Sequence, residues 1–433
     1  MHNDTPAATA TAPRQIAGAL PAVALAAVLA ALIAPRATPV LLALLATAVL
    51  GAATLAGHRP TLSARPALLA AFAVMAGYLC LNSLWAVDPL EGLGRAALFG
   101  VIVAVAAAVA GALPALPGDQ VHRHQRAVMV AVGLGALFLA IETPLGQPIR
   151  RAVVSVLPFL RPAPKHMAAV DGWVTSINLY TLNRNLALLN LVLWPTVLLL
   201  RARLPASSAR LAAVGLLGLA ALAMFTSEHE TSMLALVVGC LVLAGMTVAA
   251  PLVRALVLAG WVAATLFVVP IAAVSHQAGL HQANWLPGTA RNRIVLWSVT
   301  AEKIRGAPIL GVGIGSTKPL DEEAAPTAER RPGDSYPQRT GRHSHNIFMQ
   351  TWYELGAVGA VLLLVVGVLG LRVLGRLPVA DQPYAYASFV SATVIASFTW
   401  GMWQPWFMCA FGIWAVLLLL GLDAARRSRL ATA

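Results

Sequence analysis

Long apolar runs separated by short polar segments dominate the chain. Twelve of these runs approach or reach the roughly 20 residues that a helix needs to cross the hydrocarbon core of a bilayer. They lie at residues 15–34, 38–57, 66–85, 95–116, 127–145, 185–200, 209–226, 231–250, 254–275, 352–372, 383–400 and 403–422. The pattern predicts an all-α polytopic membrane protein with about 12 transmembrane helices.

The composition supports this prediction. The 433 residues are 59% hydrophobic and only 11% charged, and the mean hydropathy is +0.76. A soluble domain carries about 25% charged residues. So few charges cannot cover a soluble surface of this size, which excludes a large soluble enzyme.

Arginines divide the polar segments into two classes. If the N-terminus is cytoplasmic, the short outside loops carry only Arg36 and Arg95. The inside segments then hold Arg14, Arg59, Arg65, Arg123, Arg126, Arg201, Arg203, Arg210, Arg254, Arg372, Arg376, Arg426, Arg427 and Arg429. This positive-inside asymmetry predicts that both termini are cytoplasmic. The net charge of +13 therefore indicates membrane orientation and contact with the lipid bilayer, with no nucleic-acid partner.

Two outside segments are much longer than the others, at about 146–184 and 276–351. We accordingly predict three parts. Residues 1–275 form transmembrane helices 1–9 and include the outside segment 146–184. Residues 276–351 form a large outside loop that contains amphipathic helices and the candidate chemistry, and residues 352–433 form helices 10–12 with a cytoplasmic tail.

The large loop contains a basic segment with helical spacing from Ala290 to Arg305. Ile294, Trp297 and Ile304 form an apolar stripe in it, and Arg291 and Arg293 lie beside that stripe. Such a helix could rest on lipid headgroups. It could equally bind an anion, because guanidinium groups hold phosphate oxygens in a bidentate way.

Arg342, His343, His345 and Asn346 precede the tenth apolar run. No cysteine or carboxylate stands near the two histidines in sequence, so we expect no metal there. A neutral histidine at the mouth of a helix could act as an acid or a base. The alternative is a capping residue at the membrane interface.

Two further candidates lie on the same predicted side of the membrane. Arg184 stands where the sixth apolar run begins, so it must either extend to the interface or pair with an anion. His229 lies in the turn 226–232 between two spans. Its alternative interpretation is an ordinary polar turn residue.

The segment "HNIFMQTWYELGAVG" contains His345, Asn346, Gly356 and Gly359 in a His-Asn, nine residues, Gly, two residues, Gly pattern. The upstream segment "RNRIVLWSVTAEKIRGAPILGVGIG" resembles the Arg…Trp…Pro-x-x-Gly-x-Gly pattern that precedes such a motif. With the twelve-span layout and the large loop between spans nine and ten, the chain resembles the O-antigen ligase superfamily of bacterial inner-membrane glycosyltransferases. Its short tails look like those of a ligase.

The resemblance implies transfer of O-antigen polysaccharide from undecaprenyl pyrophosphate to lipid A–core lipopolysaccharide at the periplasmic face, without cofactor or metal. His345 is then the expected general base. Arg184, Arg291 and Arg293 are expected to bind the pyrophosphate, with His343, Asn346, His229 and Arg342 in support. Many ligases carry Ser-Arg in the turn after the seventh span, whereas this chain has Ser227-Glu228-His229. An arginine contact from that turn is therefore not expected here.

Three alternative functions remain open from the sequence. A polymerase would use the same motif on a lipid-linked acceptor, and a protein O-oligosaccharyltransferase would use a protein. A flippase or transporter for lipid-linked glycan should place charges near the middle of the membrane and often has repeated halves. The candidate residues instead gather at one face, which favours chemistry there.

Overall fold

The computed structural model describes residues 11–59, 61–63 and 65–432, with side chains from Gln15 onward. Its helices are α1 Thr11–Ile33, α2 Thr38–Leu55, α3 Pro66–Asn82, α4 Pro89–Ala112, α5 Gly118–Glu142, α6 Pro148–Val156, α7 Asn183–Arg203, α8 Ala206–Phe225, α9 Glu230–Val248, α10 Ala250–Gln277, α11 Gly288–Ile304, α12 Thr317–Ala324, α13 Ile347–Gly375, α14 Gln382–Phe398 and α15 Pro405–Thr432. Two strands, β1 Met167–Val170 and β2 Trp173–Ile177, pair antiparallel.

Each of the twelve apolar runs corresponds to one helix, with ends that differ by a few residues. Eleven helical segments of the described chain are long and apolar enough to cross a membrane. The remaining one, α14, has 17 residues. The prediction of an all-α polytopic membrane protein is confirmed. The tenth span begins at Ile347, five residues before the predicted start, because Asn346 caps it.

The hairpin β1–β2 lies in the segment 146–184 and was not predicted. Val170 pairs with Trp173 across Asp171 and Gly172, whose φ angles are +48° and +81°. A two-residue turn with both φ angles positive favours Asp-Gly. The "AVDGWV" sequence is therefore a local hairpin signal.

Helix α7 occupies the centre of the bundle and packs against α5, α8, α14 and α15. Residues 185–200 are all buried. A helix that is apolar on every side is expected to be buried in this way. Arg184, in the first turn of α7, is therefore held on the most enclosed element of the fold.

The helix α13 is broken at Gly356, where φ is +64° and ψ is −163°. The segment 308–316 packs into the break, and its Val312 and Gly313 N–H groups donate to the carbonyls of Tyr353 and Glu354 at 3.0 and 2.9 Å. Irregular backbone inside a membrane protein requires such replacement hydrogen bonds. A side chain at position 356 would collide with the Ile309 carbonyl, which explains this glycine of the motif.

The two ends of the bundle differ in composition. One end, called here the site end, brings α11 and the loop before α13 together, since Trp297 Nε1 donates to the Ser344 carbonyl at 2.6 Å. The opposite end, called here the arginine end, joins the last turn of α7 to the start of α14 through Arg201 and Asp381 at 3.2 Å. The candidate residues lie at the site end.

Candidate functional site

A cavity of about 740 Å³ lies at the site end. Its walls combine the loop before α13, the start of α7, α4, and the connection between α14 and α15. The lining residues are Glu91, Gly94, Arg95, Leu98, Arg184, Gly315, Lys318, Arg342, His343, His345, Gln350, Glu354, Trp400, Gly401, Trp403, Gln404 and Pro405. The structure thus brings Arg184 and both loop histidines to one space.

His345 has left-handed backbone, with φ +52°. This conformation costs a non-glycine residue about 1–3 kcal/mol and tends to occur at functional sites. It is maintained because the next residue, Asn346, caps α13 by accepting hydrogen bonds from Phe348 N at 2.9 Å and Met349 N at 3.0 Å. The capping alternative raised by the sequence therefore applies to Asn346, while the backbone turn leaves the His345 ring on the cavity wall.

A backbone carbonyl orients the His345 ring. Its Nδ1 contacts the carbonyl oxygen of Thr399, which can only accept a hydrogen bond, so Nδ1 carries the proton in the neutral ring. Nε2 then has a free lone pair. The ring of His343 lies beside it, with 4.0 Å between ring centroids, and His343 Nδ1 is buried without a hydrogen-bond partner.

The histidines of the site are neutral. Burial, with the positive charge of Arg293, lowers the pKa of His345 to about 4. Burial, then His345 and Arg293, lowers the pKa of His343 to about 3. Burial and Arg293 also lower the pKa of His229 to about 3. A neutral imidazole can accept a proton without first losing one.

Arg184 is desolvated and has no hydrogen bond or ion pair with any described residue. Its guanidinium carbon lies 5.7 Å from the ring centroid of Trp400 and 5.4 Å from that of Trp406, so aromatic faces hold the cation. Its Nε is buried without a partner. Unsatisfied N–H groups on a buried cation are costly, and an anion in the cavity could accept them.

The arginines of α11 differ from each other. Arg293 lies near enough to depress the pKa of the three histidines, and burial lowers its own pKa. Arg291 is not among the groups that shift those values, and neither arginine lines the cavity. Residues two apart on a helix do not share a face. The structure therefore brings Arg293, and not Arg291, to the histidines.

Helix α11 is packed on the protein. Its apolar residues Ile294, Val295, Leu296 and Val299 are buried, and the helix contacts α10 and α13. This arrangement does not favour the alternative in which the apolar stripe rests on lipid.

Arg342 and His229 take peripheral positions. Arg342 lines the cavity but is exposed and pairs with Glu322 at 3.0 Å. His229 lies outside the cavity lining, with its Nδ1 2.6 Å from Ser232 Oγ and its ring centroid 5.5 Å from that of Trp400. Its contact with Trp400 connects it indirectly to Arg184.

Glu354 is a buried acid that the sequence analysis missed. Its carboxylate is completely buried and accepts five hydrogen bonds. The donors are Gly315 N, Thr317 N, Thr317 Oγ1, Gln350 Nε2 and Trp403 Nε1. They come from three segments of the cavity wall, so this carboxylate holds the wall together.

Glu354 also corrects a premise of the sequence analysis, that no carboxylate lies near the histidines. Glu354 and Glu91 both line the cavity. The oxygens of Glu354 are occupied by its five donors, and Glu91 pairs with Arg95. The available signal was an acidic residue inside an otherwise apolar span, which indicates a functional position by default.

Two cations of the wall were also not proposed for the site. From the sequence, Arg95 is only an orientation signal in a short outside loop, and Lys318 is one basic residue of the large loop. Both line the cavity. Gly315, with φ +77°, leaves the space that the Arg95 guanidinium fills, because a side chain there would overlap it.

Comparisons with known proteins find similarity to one family over part of the chain. A family model described as "O-Antigen ligase" matches residues 215–364, a range that contains the turn 226–232, α11 and the histidine loop. Relatives named "Putative polysaccharide ligase" also match. The relative in Rickettsia felis is 23% identical over 269 residues, 62% of this chain and 64% of that protein.

Two further relatives match shorter regions. The Rickettsia bellii protein is 25% identical over 258 residues, which is 57% of this chain and 61% of that protein. The Rickettsia prowazekii protein is 28% identical over 132 residues, 30% of this chain and 32% of that protein. The chain thus matches less than two thirds of the length of each of these relatives.

Proposed function

We propose that this chain, which is similar to the O-antigen ligase family over residues 215–364 and to putative polysaccharide ligases, transfers O-antigen polysaccharide from undecaprenyl pyrophosphate to lipid A–core lipopolysaccharide. The reaction takes place at the periplasmic face of the bacterial inner membrane, with both chain termini in the cytoplasm. One observation carries the proposal: the unpaired, desolvated Arg184 faces the same cavity as the neutral His345.

The donor pyrophosphate is a dianion. In the proposal it fills the cavity beside Arg184, with Arg293 behind the histidines and Arg342 at the exposed rim. Arg291 remains a proposed ligand on the basis of the sequence, in a secondary role because Arg293 and not Arg291 acts on the pKa of the histidines. When the bond between sugar C1 and the phosphate oxygen breaks, negative charge develops on the leaving pyrophosphate. Guanidinium groups already in place stabilise that charge.

The acceptor hydroxyl is a poor nucleophile until its proton is removed. His345 Nε2 takes this proton while the hydroxyl oxygen bonds to sugar C1 and the pyrophosphate departs with the bonding electrons. The Thr399 carbonyl holds the ring through Nδ1, which keeps the lone pair of Nε2 toward the cavity. Such base catalysis is worth roughly 10²–10⁴-fold in rate. The step uses only groups of this chain and requires no metal.

The test is transfer by the purified protein from a lipid-linked glycan to lipid A–core in detergent or nanodiscs. A glycan attached to lipid A–core supports a ligase. Elongation of the lipid-linked glycan, with nothing on lipid A–core, would instead indicate a polymerase, and attachment to protein an O-oligosaccharyltransferase. Movement of intact lipid-linked glycan across the membrane without any covalent product would indicate a transporter.

A deletion strain gives an independent readout. Loss of every lipopolysaccharide ladder band, with accumulation of lipid-linked O-antigen, is the result expected for a ligase. A surviving band with a single repeat would contradict the proposal, because it shows that another protein performs the ligation.

A further inference from the structure

A second group of titratable side chains lies in the large loop, outside the cavity. His276 belongs to the last turn of α10, His281 follows in the next turn, and Asp334 lies 58 residues beyond His276. Asp334 Oδ1 is 3.1 Å from His276 Nε2 and 3.3 Å from His281 Nε2. The side chains of Asp334 and His281 are only 2% and 7% exposed, and that of His276 is 19% exposed.

We propose that His276, His281 and Asp334 bind one divalent transition-metal ion of the zinc class. Two imidazole nitrogens and one carboxylate oxygen form a donor set that suits zinc, with a water as the fourth ligand. The three donor atoms lie within 4.8 Å of one another, and no other group of this kind occurs in the part of the chain that the structure describes.

The distances fit such an ion. Zinc binds imidazole nitrogen and carboxylate oxygen at about 2.0–2.2 Å in a tetrahedron, so neighbouring donors lie roughly 3.2–3.5 Å apart. The two nitrogen–oxygen separations, 3.1 and 3.3 Å, lie close to that edge length. Asp334 Oδ1 is therefore already placed as the common neighbour of both nitrogens.

Neighbouring amides support this arrangement. Gln338 Nε2 donates to the other carboxylate oxygen of Asp334, which leaves Oδ1 facing the histidines. Gln282 Nε2 lies 3.1 Å from His281 Nε2, so a second amide borders the nitrogen that would bind the ion.

Binding requires one ring to turn. The two imidazoles are stacked, with centroids 4.1 Å apart and planes 9° apart, whereas lone pairs on one ion must converge. His276 is the more exposed of the two rings and ends a helix, so it has the space to rotate about its side-chain bonds. The metal-bound form should therefore have unstacked rings.

The proposed ion has a structural role. It would connect the end of α10 to the segment 329–340, which leads directly to Arg342 and His343. The Arg339–Asp321 ion pair holds the same segment from the other side. The inference does not depend on the proposed function, because no ligand of the ion lines the catalytic cavity.

The experiment uses the full-length protein, purified without a polyhistidine tag, stripped with EDTA, reloaded with zinc chloride and freed of excess metal. Metal content is measured by mass spectrometry. We expect about one zinc per chain, and less than about a tenth of that for His281→Ala and for the isosteric Asp334→Asn, because a structural site needs its full ligand set. The matched controls are His58→Ala, an exposed histidine outside the loop, and His343→Ala, and both should retain the ion.

Two further readouts make the result specific. Cobalt substituted for zinc should give the visible absorption bands of a four-coordinate site in the wild type but not in Asp334→Asn. Zinc should raise the unfolding midpoint by a few degrees in the wild type and leave both ligand variants unchanged. Absence of zinc from the reloaded wild type, or full zinc content in His281→Ala, would overturn the proposal. Loss of zinc in His343→Ala alone would place the ion at the catalytic histidines, which also overturns it.

Discussion

Two partly buried arginines at the site end, Arg184 and Arg293, have different surroundings from four arginines at the arginine end. At the arginine end, two buried carboxylates each accept two of them: Asp381 pairs with Arg201 and Arg429, and Asp423 with Arg426 and Arg427. At the site end, Arg184 and Arg293 have no carboxylate within ion-pair distance among the described residues.

The difference separates two uses of the same side chain. A paired arginine has its charge and N–H groups satisfied by the protein, so it can hold helix ends together and mark orientation. An arginine that is desolvated and unpaired must find its partner elsewhere. The comparison therefore separates Arg184 and Arg293, which the proposed function assigns to an anionic ligand, from the four arginines whose charge Asp381 and Asp423 neutralise.

The largest effect is expected from His345→Ala, which should lower kcat by about 10²–10⁴-fold if the ring is the base, while donor binding persists. The measurement is single-turnover transfer with purified protein. The matched control is His122→Ala, since His122 lines a smaller cavity at the arginine end with Arg203 and Arg427. An equal loss of kcat in both variants would show that the site end is no more important for transfer than the arginine end.

Replacement of Arg184 tests the unpaired cation directly. Arg184→Ala should lower kcat by about 10²–10³-fold, as removal of one preorganised donor does, and Arg184→Lys should recover little because a point charge lacks the planar fork. Arg201→Ala, at the other end of the same helix, should retain nearly full transfer. If Arg184→Ala transfers glycan at the wild-type rate, Arg184 only packs against the aromatic rings and does not bind the pyrophosphate.

The two arginines of α11 give a finer comparison within the site end. Arg293→Ala should impair transfer more than Arg291→Ala, because only Arg293 lies near the histidines. Arg293→Ala should also raise the pKa of His343 and His345, since one positive charge that opposes their protonation is removed. Steady-state kinetics and histidine titration by NMR measure the two effects. Equal kinetic loss would indicate that both arginines reach the pyrophosphate.

The rate of transfer should not change with pH over the physiological range. With the pKa of His345 near 4, the ring is neutral and active as a base at higher pH, so kcat/KM should fall only as pH drops toward that value. In the donor complex, the dianion opposes the positive charge of Arg293 and favours the protonated ring, so kcat should decline at a higher pH than kcat/KM. Decline of both near pH 6.5 would mean that the cavity does not desolvate the ring.

The smallest effect on transfer is expected at the arginine end. Asp423→Asn removes the carboxylate shared by Arg426 and Arg427, so the midpoint of thermal unfolding should fall by several degrees while the transfer rate of the remaining folded protein stays within about twofold of wild type. A large loss of transfer without loss of stability would show that the arginine end contributes to the reaction.

The histidine loop shows how far sequence reasoning reached. His345 was identified because a titratable residue stood before an apolar run within a motif, and both features are local. Its left-handed backbone and its contact with Thr399, 54 residues away, could not be inferred, because they depend on how α14 ends beside α13. The cap formed by Asn346, by contrast, is a local feature, although from the sequence a capping role is considered only for the histidines.

The sequence by itself determined where the membrane-spanning helices lie and how the arginines are distributed between the two ends of the bundle. Helix length, apolar period and arginine distribution are properties of neighbouring residues, and the bilayer restricts a long apolar run to a helix. Tertiary structure alone decided which polar groups meet. Glu354 and Trp403, His276 and Asp334, and Asn82 and Leu310 make contact across separations of 49, 58 and 228 residues. Such contacts depend on the packing of whole helices, which a local pattern of apolar residues does not encode.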